Sequence, residues 1–528
     1  MKKIIGLALL FSMLFIMAAC ADDSGPQDET GAPAKKAAEE MQLKAGLASE
    51  PVSLDPHAAN DGNSLYVMNT LYDTLVEQNT DLEIQPALAE SLEQIEDTMW
   101  EAKLREDVTF HDGSAFNAEV VKANLDRVRD PDIGSPLGFL FDMIKNVEVI
   151  DDYTVHIETE YPFSALPAHL AHPGGHMISL EAIEADNEAI ANGEEPFSTI
   201  NENPVGTGYF KFEERAVSGE ITVVKNEDYW GEQAGVEAIA FHFVPEDLTR
   251  IAELQTGDSD FIYPVNANNV EEVDDNEGTH VMQSDSASMT YLGFNVEREP
   301  FNDERVRQAI AMTINKDEII NGVLNGIALP AKGPLAPTVF GYDENIEPID
   351  RDVEEAKTLL EDAGFADGLE ITLMAYDTNT GDIAQVIQSQ LKEIGIDVNI
   401  QMTETATYLE DTANGSVDMF LGSWGTVTLD ADYGLYPMFH SDNAGAPGNR
   451  SFYANEEVDE LLEQARQEGD EAARLSLYAD AQQIIVDEAP IVPIYHSVLL
   501  SGLRDEVNGF YQFPSSFPFF RDVTIEPE

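Results

Sequence analysis

The sequence predicts an α/β fold that is divided into more than one lobe. The chain has 528 residues, whereas a single hydrophobic core stops growing at about 250–300 residues. Residues 369–402 carry the patterns of a strand, a helix and a second strand in succession. A β-α-β unit of this kind implies parallel strands. With 43% hydrophobic residues, the chain also has enough apolar side chains for a large core.

The patterns in the first half of the chain predict alternating strands and helices, beginning with a strand at Leu43. Apolar residues at helical spacing in 62–78 predict a helix, and alternation in 98–113 predicts a strand. Asn117 stands where a helix N-cap is expected. Residues 147–160 predict two strands that are joined by an Asp-Asp turn.

The second half is richer in helices. Residues 300–324 predict one or two helices, and 352–368 predict a helix that is closed by Gly364. The helix of the β-α-β unit is expected to end at Gly395 for the same reason. Residues 455–489 predict a long pair of helices.

The charge balance excludes some classes of partner. The chain has 28 Lys and Arg residues against 100 Asp and Glu residues, for a formal net charge of −72. Such a surface repels nucleic acid and anionic lipid, so nucleic-acid binding is not expected. The acids are spread along the whole chain, which predicts a solvated acidic surface suited to high salt, where self-repulsion is screened.

The N-terminus predicts export and lipid attachment. Two lysines precede an apolar run over 4–17, which is too short to span a bilayer comfortably and has the layout of a signal peptide. The only cysteine, Cys20, follows Met17-Ala18-Ala19, which resembles a bacterial lipobox with Met in place of the usual Leu. We therefore predict a signal peptide over 1–19, lipid on Cys20, and a flexible linker over 20–42. The alternative is an ordinary signal peptide with a chance cysteine.

Several blocks of sequence resemble one family. "TMWEAKLREDVTFHDGSAFNAEVVKANLDR" (98–127), "NPVGTGYFKF" (203–212), "PFNDERVRQAIAMTINKDEII" (300–320) and "SFYANEEVDELLEQA" (451–465) are similar to extracytoplasmic solute-binding proteins of peptide/nickel-type ABC importers, family 5. The blocks keep the family's order from about Leu43 to near the C-terminus. Within the family, "LDPHAANDGNS", "FNAEVVKANLDR", "LAHPGGHMIS" and "ADYGLYPMF" look closest to glutathione-binding receptors.

The resemblance implies a two-lobe, periplasmic-binding-protein-like fold with mixed sheets flanked by helices and a ligand cleft between the lobes. The implied boundaries are 43–290 for the first lobe, with a small domain inserted at about 76–204, then 291–489 for the second lobe and 490–528 for the return to the first lobe. Chain crossings near 289–294 and 488–492 would be the hinges.

The resemblance also implies the function. We expect a lipid-anchored, extracytoplasmic receptor that captures short peptides, including glutathione-like ones, by lobe closure and delivers them to the permease of an ABC importer. It would be a monomer without a cofactor. Within the family, a receptor for nickel or a nickel chelate is the alternative. A secreted hydrolase is a more remote one, since the G-x-S-x-G, H-E-x-x-H, P-loop and C-x-x-C motifs are absent from the sequence.

Residues 422–437 are the first candidate for ligand binding. A peptide enclosed away from water needs a carboxylate for its ammonium group and a donor, ideally Arg, for its own carboxylate. The segment is expected to be a loop and contains Trp424, Asp430, Asp432 and Tyr433. In the family that it resembles, an acid in an Ala-Asp-Tyr-like segment pairs with the ligand's ammonium group. Asp432 matches that position, and Asp430 is its rival.

Other candidates are spread along the chain. In the loop "DPHAANDGNS", Asn60 and Asp61 either bind ligand or cap the local turn. Arg450 follows a Gly-rich loop and either binds a ligand carboxylate or forms an ion pair with one of the many acids. Tyr495 either lines the cleft or belongs to the core.

Three of the ten histidines lie close together, and they are weak candidates for a metal site. His169, His172 and His176 have the residue types that hold Zn²⁺ or Ni²⁺. Pro173-Gly174-Gly175 is expected to break any helix that would present them on one face. The other interpretation is therefore a loop or hairpin with exposed histidines.

Overall fold

The computed structural model describes residues 41–59 and 61–526. Some of the predictions fall outside these residues, namely the signal peptide 1–19, Cys20, the linker up to residue 40, and Asn60.

The strands of the described residues are numbered in chain order. They are β1 Gln42–Leu47, β2 Val76–Gln78, β3 Ile84–Pro86, β4 Ala89–Glu96, β5 Met99–Leu104, β6 Ile144–Asp151, β7 Thr154–Thr159, β8 Phe210–Arg215, β9 Ile221–Lys225, β10 Ala238–Phe243, β11 Phe261–Tyr263, β12 Thr279–Phe294, β13 Leu329–Pro330, β14 Leu369–Ala375, β15 Ile396–Met402, β16 Met419–Gly425, β17 Ile491–Arg504, β18 Val507–Asn508, β19 Tyr511–Gln512, β20 Pro518–Phe519 and β21 Thr524–Ile525.

The α-helices follow the same numbering. They are α1 Gly62–Leu71, α2 Ala118–Arg129, α3 Leu166–Leu170, α4 Leu180–Ala191, α5 Ser198–Glu202, α6 Asp247–Thr256, α7 Val270–Asp274, α8 Glu304–Ala311, α9 Lys316–Val323, α10 Val353–Asp362, α11 Thr378–Leu391, α12 Thr405–Ala413, α13 Ala431–Phe439, α14 Glu456–Gln467 and α15 Glu471–Glu488. Short 3₁₀ turns lie at Gly138–Phe141, Pro173–Gly175, Ala267–Asn269, Lys392–Ile394 and Ser441–Asn443. Among the described helices, none is long and apolar enough to cross a membrane.

The local predictions hold at the helix ends. Asn117 caps α2, because its side chain accepts from the backbone N–H groups of Glu119 and Val120. Gly364 and Gly395 have φ angles of 95° and 81°, which are left-handed values that glycine adopts without strain. Each of them follows the end of its helix, as predicted.

One large sheet connects strands from both lobes among the described residues. Its hydrogen-bonded order is β15-β14-β16-β12-β17-β11-β1-β10-β9-β8, with β13 also on β17. β14 and β15 are parallel, which confirms the β-α-β unit. The antiparallel ladder of β12 and β17 is interrupted between Asp285 and Met289. β16 pairs with β12 from Ser288 onward, and β11 pairs with β17 on the other side of this break.

The buried apolar residues form separate cores. The first-lobe core draws on 43–72, 178–263 and 503–523. The core of a smaller region, which we call the inserted domain, draws on 75–177 and is built on the antiparallel sheet β4-β5-β7-β6. The second lobe contains two cores made from residues within 287–495. The boundary residues of the domains stay a prediction.

Candidate functional site

The segment that was expected to be a loop contains the start of a helix. β16 ends at Gly425, and α13 begins at Ala431. Asp430 is the N-cap, and its Oδ1 accepts from the backbone N–H of Asp432 at 2.9 Å. This cap satisfies one of the free N–H groups of the first turn. The prediction of a loop was therefore wrong from Ala431 onward, and Asp432 and Tyr433 lie in the first turn of α13.

Asp430 is already paired within its own lobe. Arg474 of α15 donates from Nη1 to Asp430 Oδ2 at 2.9 Å and from Nη2 to Oδ1 at 2.7 Å. Both residues are 6% exposed. The two parallel bonds are the strong geometry for a guanidinium and a carboxylate. Asp430 thus fixes the start of α13 against α15.

Asp432 lies at a contact between the second lobe and the inserted domain. Its Oδ1 is 2.9 Å from Arg466 Nε of α14, and its Oδ2 is 3.3 Å from His169 Nε2 of α3. Burial raises the pKa of Asp432, but Arg466, followed by His169, lowers it to about 2. The contact angles fall short of hydrogen-bond geometry, so these groups attract one another mainly through charge.

The two ring nitrogens of His169 face different partners. Its Nδ1 lies 2.8 Å from the carbonyl oxygen of Leu140, which only accepts, and its Nε2 faces the carboxylate of Asp432. Both neighbours carry oxygen atoms that can accept a hydrogen bond. His169 is 3% exposed. The contact to Asp432 therefore connects the inserted domain to the second lobe without intervening solvent.

Aromatic rings surround this contact. Trp424 Nε1 donates to the carbonyl oxygen of Tyr433 at 3.0 Å, and the two rings lie 5.4 Å apart. Tyr433 also stacks on Phe139 of the inserted domain, with the ring centres 6.1 Å apart. Tyr433 belongs to the inserted-domain core although it lies in the second lobe. The two lobes are thus in direct apolar contact at Tyr433.

A cavity of about 290 Å³ adjoins this contact, and we call it the interlobe cavity. Phe139, Asp142, Tyr161 and His169 line it from the inserted domain, and Asp432, Tyr436 and Arg466 line it from the second lobe.

The cavity presents opposite charges. The Arg466 guanidinium lies 3.8 Å above the Tyr436 ring, and within the described residues its two terminal nitrogens have no hydrogen-bond acceptor. The Asp142 carboxylate likewise has no hydrogen-bond or ion-pair partner among those residues. Burial raises the pKa of Asp142, while Arg129 and Arg466 act in the opposite direction.

The loop after β1 is held by a buried charge cluster. Arg127 of α2 donates to Asp55 at 2.7 and 3.2 Å and to Asp186 at 2.8 Å. Asp61 is the N-cap of α1 and accepts from Ser64 N and Oγ at 3.0 and 2.7 Å. Of the two interpretations of Asp61, local turn capping is the one that this geometry supports.

Arg450 and Tyr495 make contacts within the second lobe. Arg450 Nη1 donates to the Leu409 carbonyl oxygen at 2.7 Å and to Thr412 Oγ1 at 2.6 Å. Tyr495 is 4% exposed, belongs to a second-lobe core, and accepts from Asn379 Nδ2 at 3.3 Å. Neither residue lines the interlobe cavity.

The expectation of exposed histidines was wrong. His169, His172 and His176 are 3%, 2% and 6% exposed. α3 ends at Leu170, and Pro173–Gly175 form a separate short turn, so the three rings do not share one helix face, as predicted. Burial, with His169 and His176, lowers the pKa of His172 to about 3, and burial lowers that of His176 to about 3. Within 41–59 and 61–526, no three His, Cys, Asp or Glu side chains are grouped to hold a metal ion.

Sequence reasoning missed the basic partners of this site. Arg466 and Arg474 lie in the predicted helical pair, but nothing in their local pattern connects them with Asp430 and Asp432. The one signal in the sequence was the small number of basic residues, since 28 Lys and Arg accompany 100 Asp and Glu. An Arg on a helix face that turns toward the core is then a candidate partner for a buried acid.

A two-lobed α/β fold with a charged cavity between its lobes is the architecture of a receptor that encloses a small solute. Residues 83–446 match the model of the bacterial extracellular solute-binding proteins, family 5. The chain belongs to this family, and it is a binding receptor of an ABC importer rather than an enzyme.

Relatives extend the similarity over nearly the full length. The chain is 34% identical over 485 residues to the glutathione-binding protein GsiB of Pectobacterium atrosepticum, covering 90% of this chain and 92% of that protein. It is 32% identical over 492 residues to GsiB of Escherichia coli K12, covering 91% and 94%. The periplasmic binding protein DppA of Helicobacter pylori, solved with the peptide STSA, superimposes with a TM-score of 0.82 at 30% identity and covers 93% of this chain and 99% of that one.

Proposed function

We propose that this receptor captures short peptides, including glutathione-like ones, between its lobes and delivers them to an ABC permease. The relatives named as glutathione-binding proteins support this proposal, since they cover about nine-tenths of the chain. The solved relative with a bound tetrapeptide supports the wider class of short peptides.

The observation that carries the proposal is the opposite charge on the two walls of the interlobe cavity. Arg466 of the second lobe is suited to a peptide's carboxylate through its two terminal nitrogens. Asp142 of the inserted domain is suited to the ammonium group. At about 290 Å³ the cavity lies near the lower end of the range of ligand pockets, which begins at about 300 Å³.

A zwitterion held in this way would favour the closed state. Its carboxylate would contact the second lobe, and its ammonium group would contact the inserted domain. In the open state it would keep only one of these partners, and this difference in affinity is what shifts the equilibrium. We place the bending point at the ladder break between Asp285 and Met289 of β12.

The site of action is also part of the proposal. Lipid on Cys20 would keep a monomeric receptor at the membrane, and residues 20–42 would let the lobes stand away from the bilayer. A single acyl chain binds only marginally, so stable anchoring requires more than one chain on this residue.

A ligand panel tests the function. Calorimetry on the purified protein would compare glutathione, dipeptides, tetrapeptides, free glutamate and Ni²⁺ with and without histidine. We expect saturable, one-to-one binding of at least one short peptide, and a smaller radius of gyration in its presence. Binding of Ni²⁺ or its histidine complex alone would contradict the peptide assignment in favour of the nickel alternative.

A further inference from the structure

A second cavity is lined by residues of the first lobe and its inserted domain, and one of them, Gln78, donates to the Thr428 carbonyl oxygen of the second lobe at 2.9 Å. It encloses about 330 Å³ between the end of α1, the β2–β3 hairpin and the C-terminal segment 513–522. We call it the first-lobe cavity. None of its lining residues belongs to 291–489, so movement of the second lobe does not build it.

The wall of this cavity carries an excess of negative charge. Asp73, Glu77 and Asp522 line it together with one cation, Arg521. Arg521 is already engaged, because its Nε lies 3.2 Å from Asp522 Oδ1 and its guanidinium lies 4.7 Å from the Phe519 ring centre. His176 also lines the cavity, but burial lowers its pKa to about 3, so it is neutral near pH 7. Arg521 also lowers the pKa of Asp73 and of Glu77, but this one cation faces three acids in the lining.

The two carboxylates are held in place. Asp73 accepts from Thr207 Oγ1 at 2.8 Å, Trp230 Nε1 at 2.9 Å and Tyr229 Oη at 3.2 Å. Burial raises the pKa of Asp73 in spite of these bonds. A bound cation is the change that would stabilise the charged form.

Glu77 lies four residues after Asp73, in strand β2. Gln85 Nε2 donates to its Oε1 at 2.9 Å. Burial, and then the charge of Asp73, raises the pKa of Glu77. Arg521, Gln85 and Arg105 act in the opposite direction, so the charge of Glu77 is only partly compensated.

Buried polar atoms without partners provide a second, independent observation. Ser515 Oγ, His176 Nδ1 and Asn69 Oδ1 have no hydrogen-bond partner within the described residues. Ser515 and His176 are only 7% and 6% exposed. An unpaired buried polar atom destabilises the protein, so a polar ligand that reached these atoms would recover part of that energy.

Aromatic rings complete the wall. The cavity is lined by Tyr72, Tyr209, Tyr229, Phe513, Phe517 and Phe519. Aromatic faces attract cations, and they do so most strongly when water is excluded. A wall of carboxylates and rings suits an organic ammonium ion better than a bare metal ion, for which the described residues offer no group of three side-chain ligands.

We propose that the first-lobe cavity binds a small organic ammonium ion, with Asp73 and Glu77 as its counter-ions. This proposal does not rest on the peptide site, because the two cavities share no lining residue. The ligand class is an alkylammonium or quaternary ammonium ion small enough for about 330 Å³.

The test compares choline with 3,3-dimethyl-1-butanol, its uncharged carbon analogue, by calorimetry on the full chain. The buffer is kept at high ionic strength, because a formal charge of −72 attracts any cation loosely. We expect one-to-one choline binding and at least tenfold weaker binding of the neutral analogue. Equal binding of the two compounds, or no choline binding together with none of 1,4-diaminobutane, would overturn the proposal.

Variants locate the site. Glu77→Gln keeps the shape of the side chain, and we expect it to weaken choline binding at least tenfold without changing peptide affinity. Asp480→Asn is the matched control, since Asp480 is exposed and its carboxylate forms no hydrogen bond or ion pair with another described residue. Equal losses in both variants would show that choline binds only through the overall charge and would reject the site. The Trp230 indole donates to Asp73, so a choline-dependent change in tryptophan emission that Glu77→Gln abolishes is a second readout.

Discussion

His169 Nε2 lies 3.3 Å from Asp432 Oδ2, and this contact joins the inserted domain to the second lobe. A second contact next to it crosses the same interface, since Ser164 N donates to the carbonyl oxygen of Arg466 at 3.1 Å. The lobes are therefore held together by charge and by backbone hydrogen bonding beside the interlobe cavity. A ligand in that cavity would add to contacts that the closed protein already makes.

His169→Gln should shift the ligand-free protein toward a more open form. Glutamine keeps a polar side chain but lacks the imidazole ring whose Nε2 faces Asp432. Small-angle scattering would report this change as a larger radius of gyration without ligand. His280→Gln is the control, because His280 forms a similar contact of 2.9 Å with Asp505 that is exposed and lies within the first lobe. An equal radius for His169→Gln and the wild type would show that the contact does not hold the lobes closed.

Acid should weaken the protein through Asp432. Its pKa is lowered from 3.8 to about 2 in the folded state, so it contributes stability above pH 4 that is lost as the pH falls toward 2. A shift of this size corresponds to roughly 2 kcal/mol. Urea denaturation from pH 5 to pH 2 should show the advantage of the wild type over Asp432→Asn shrinking with acid. Parallel curves for the two proteins would contradict this prediction.

Arg474→Ala should be strongly destabilising. It would leave Asp430 buried without a cation, which typically costs about 3–5 kcal/mol. Because Asp430 also caps α13, the loss should reach Asp432 and Tyr433 and reduce ligand affinity as well. Arg351→Ala is the control: its ion pair with Glu393 is exposed, so its removal should change the free energy of unfolding by less than about 1 kcal/mol. Similar denaturation midpoints for both variants would contradict the buried pairing.

The features that could be predicted from the sequence are those that depend on residues close together in the chain. The cap at Asn117, the glycine ends of two helices and the parallel strands of the β-α-β unit follow from short-range pattern, and the structure confirms them. The resemblance supplied the two-lobe fold and directed attention to Asp432. The partners of Asp432 lay beyond prediction, because His169 and Arg466 reach it only through the packing of separate helices. Burial of the three histidines was missed for the same reason.

The cluster around Arg127 should behave as one unit. Arg127→Met would leave Asp55 and Asp186 buried and unpaired, and we expect a loss of about 3–5 kcal/mol in the free energy of unfolding. Adding Asp55→Asn and Asp186→Asn should recover much of that loss, because no unpaired charge then remains. Chemical denaturation of the single and triple variants measures both effects. If the triple variant is less stable than Arg127→Met, the loss does not come from unpaired charge.

Arg466→Lys should separate the two roles of this residue. Lysine keeps the positive charge near Asp432 but lacks the planar pair of terminal nitrogens, so a peptide carboxylate would lose one of its two hydrogen bonds. We expect peptide affinity to fall by about 1.5–3 kcal/mol, the usual range for a hydrogen bond to a charged group, while the thermal midpoint changes little. A peptide with an amidated C-terminus should bind the wild type weakly and the variant about equally weakly. If Arg466→Lys binds the free-acid peptide as tightly as the wild type, Arg466 does not hold the ligand's carboxylate.

Asp142→Asn tests the other wall of the interlobe cavity. We expect this variant to lose affinity only for peptides with a free ammonium group.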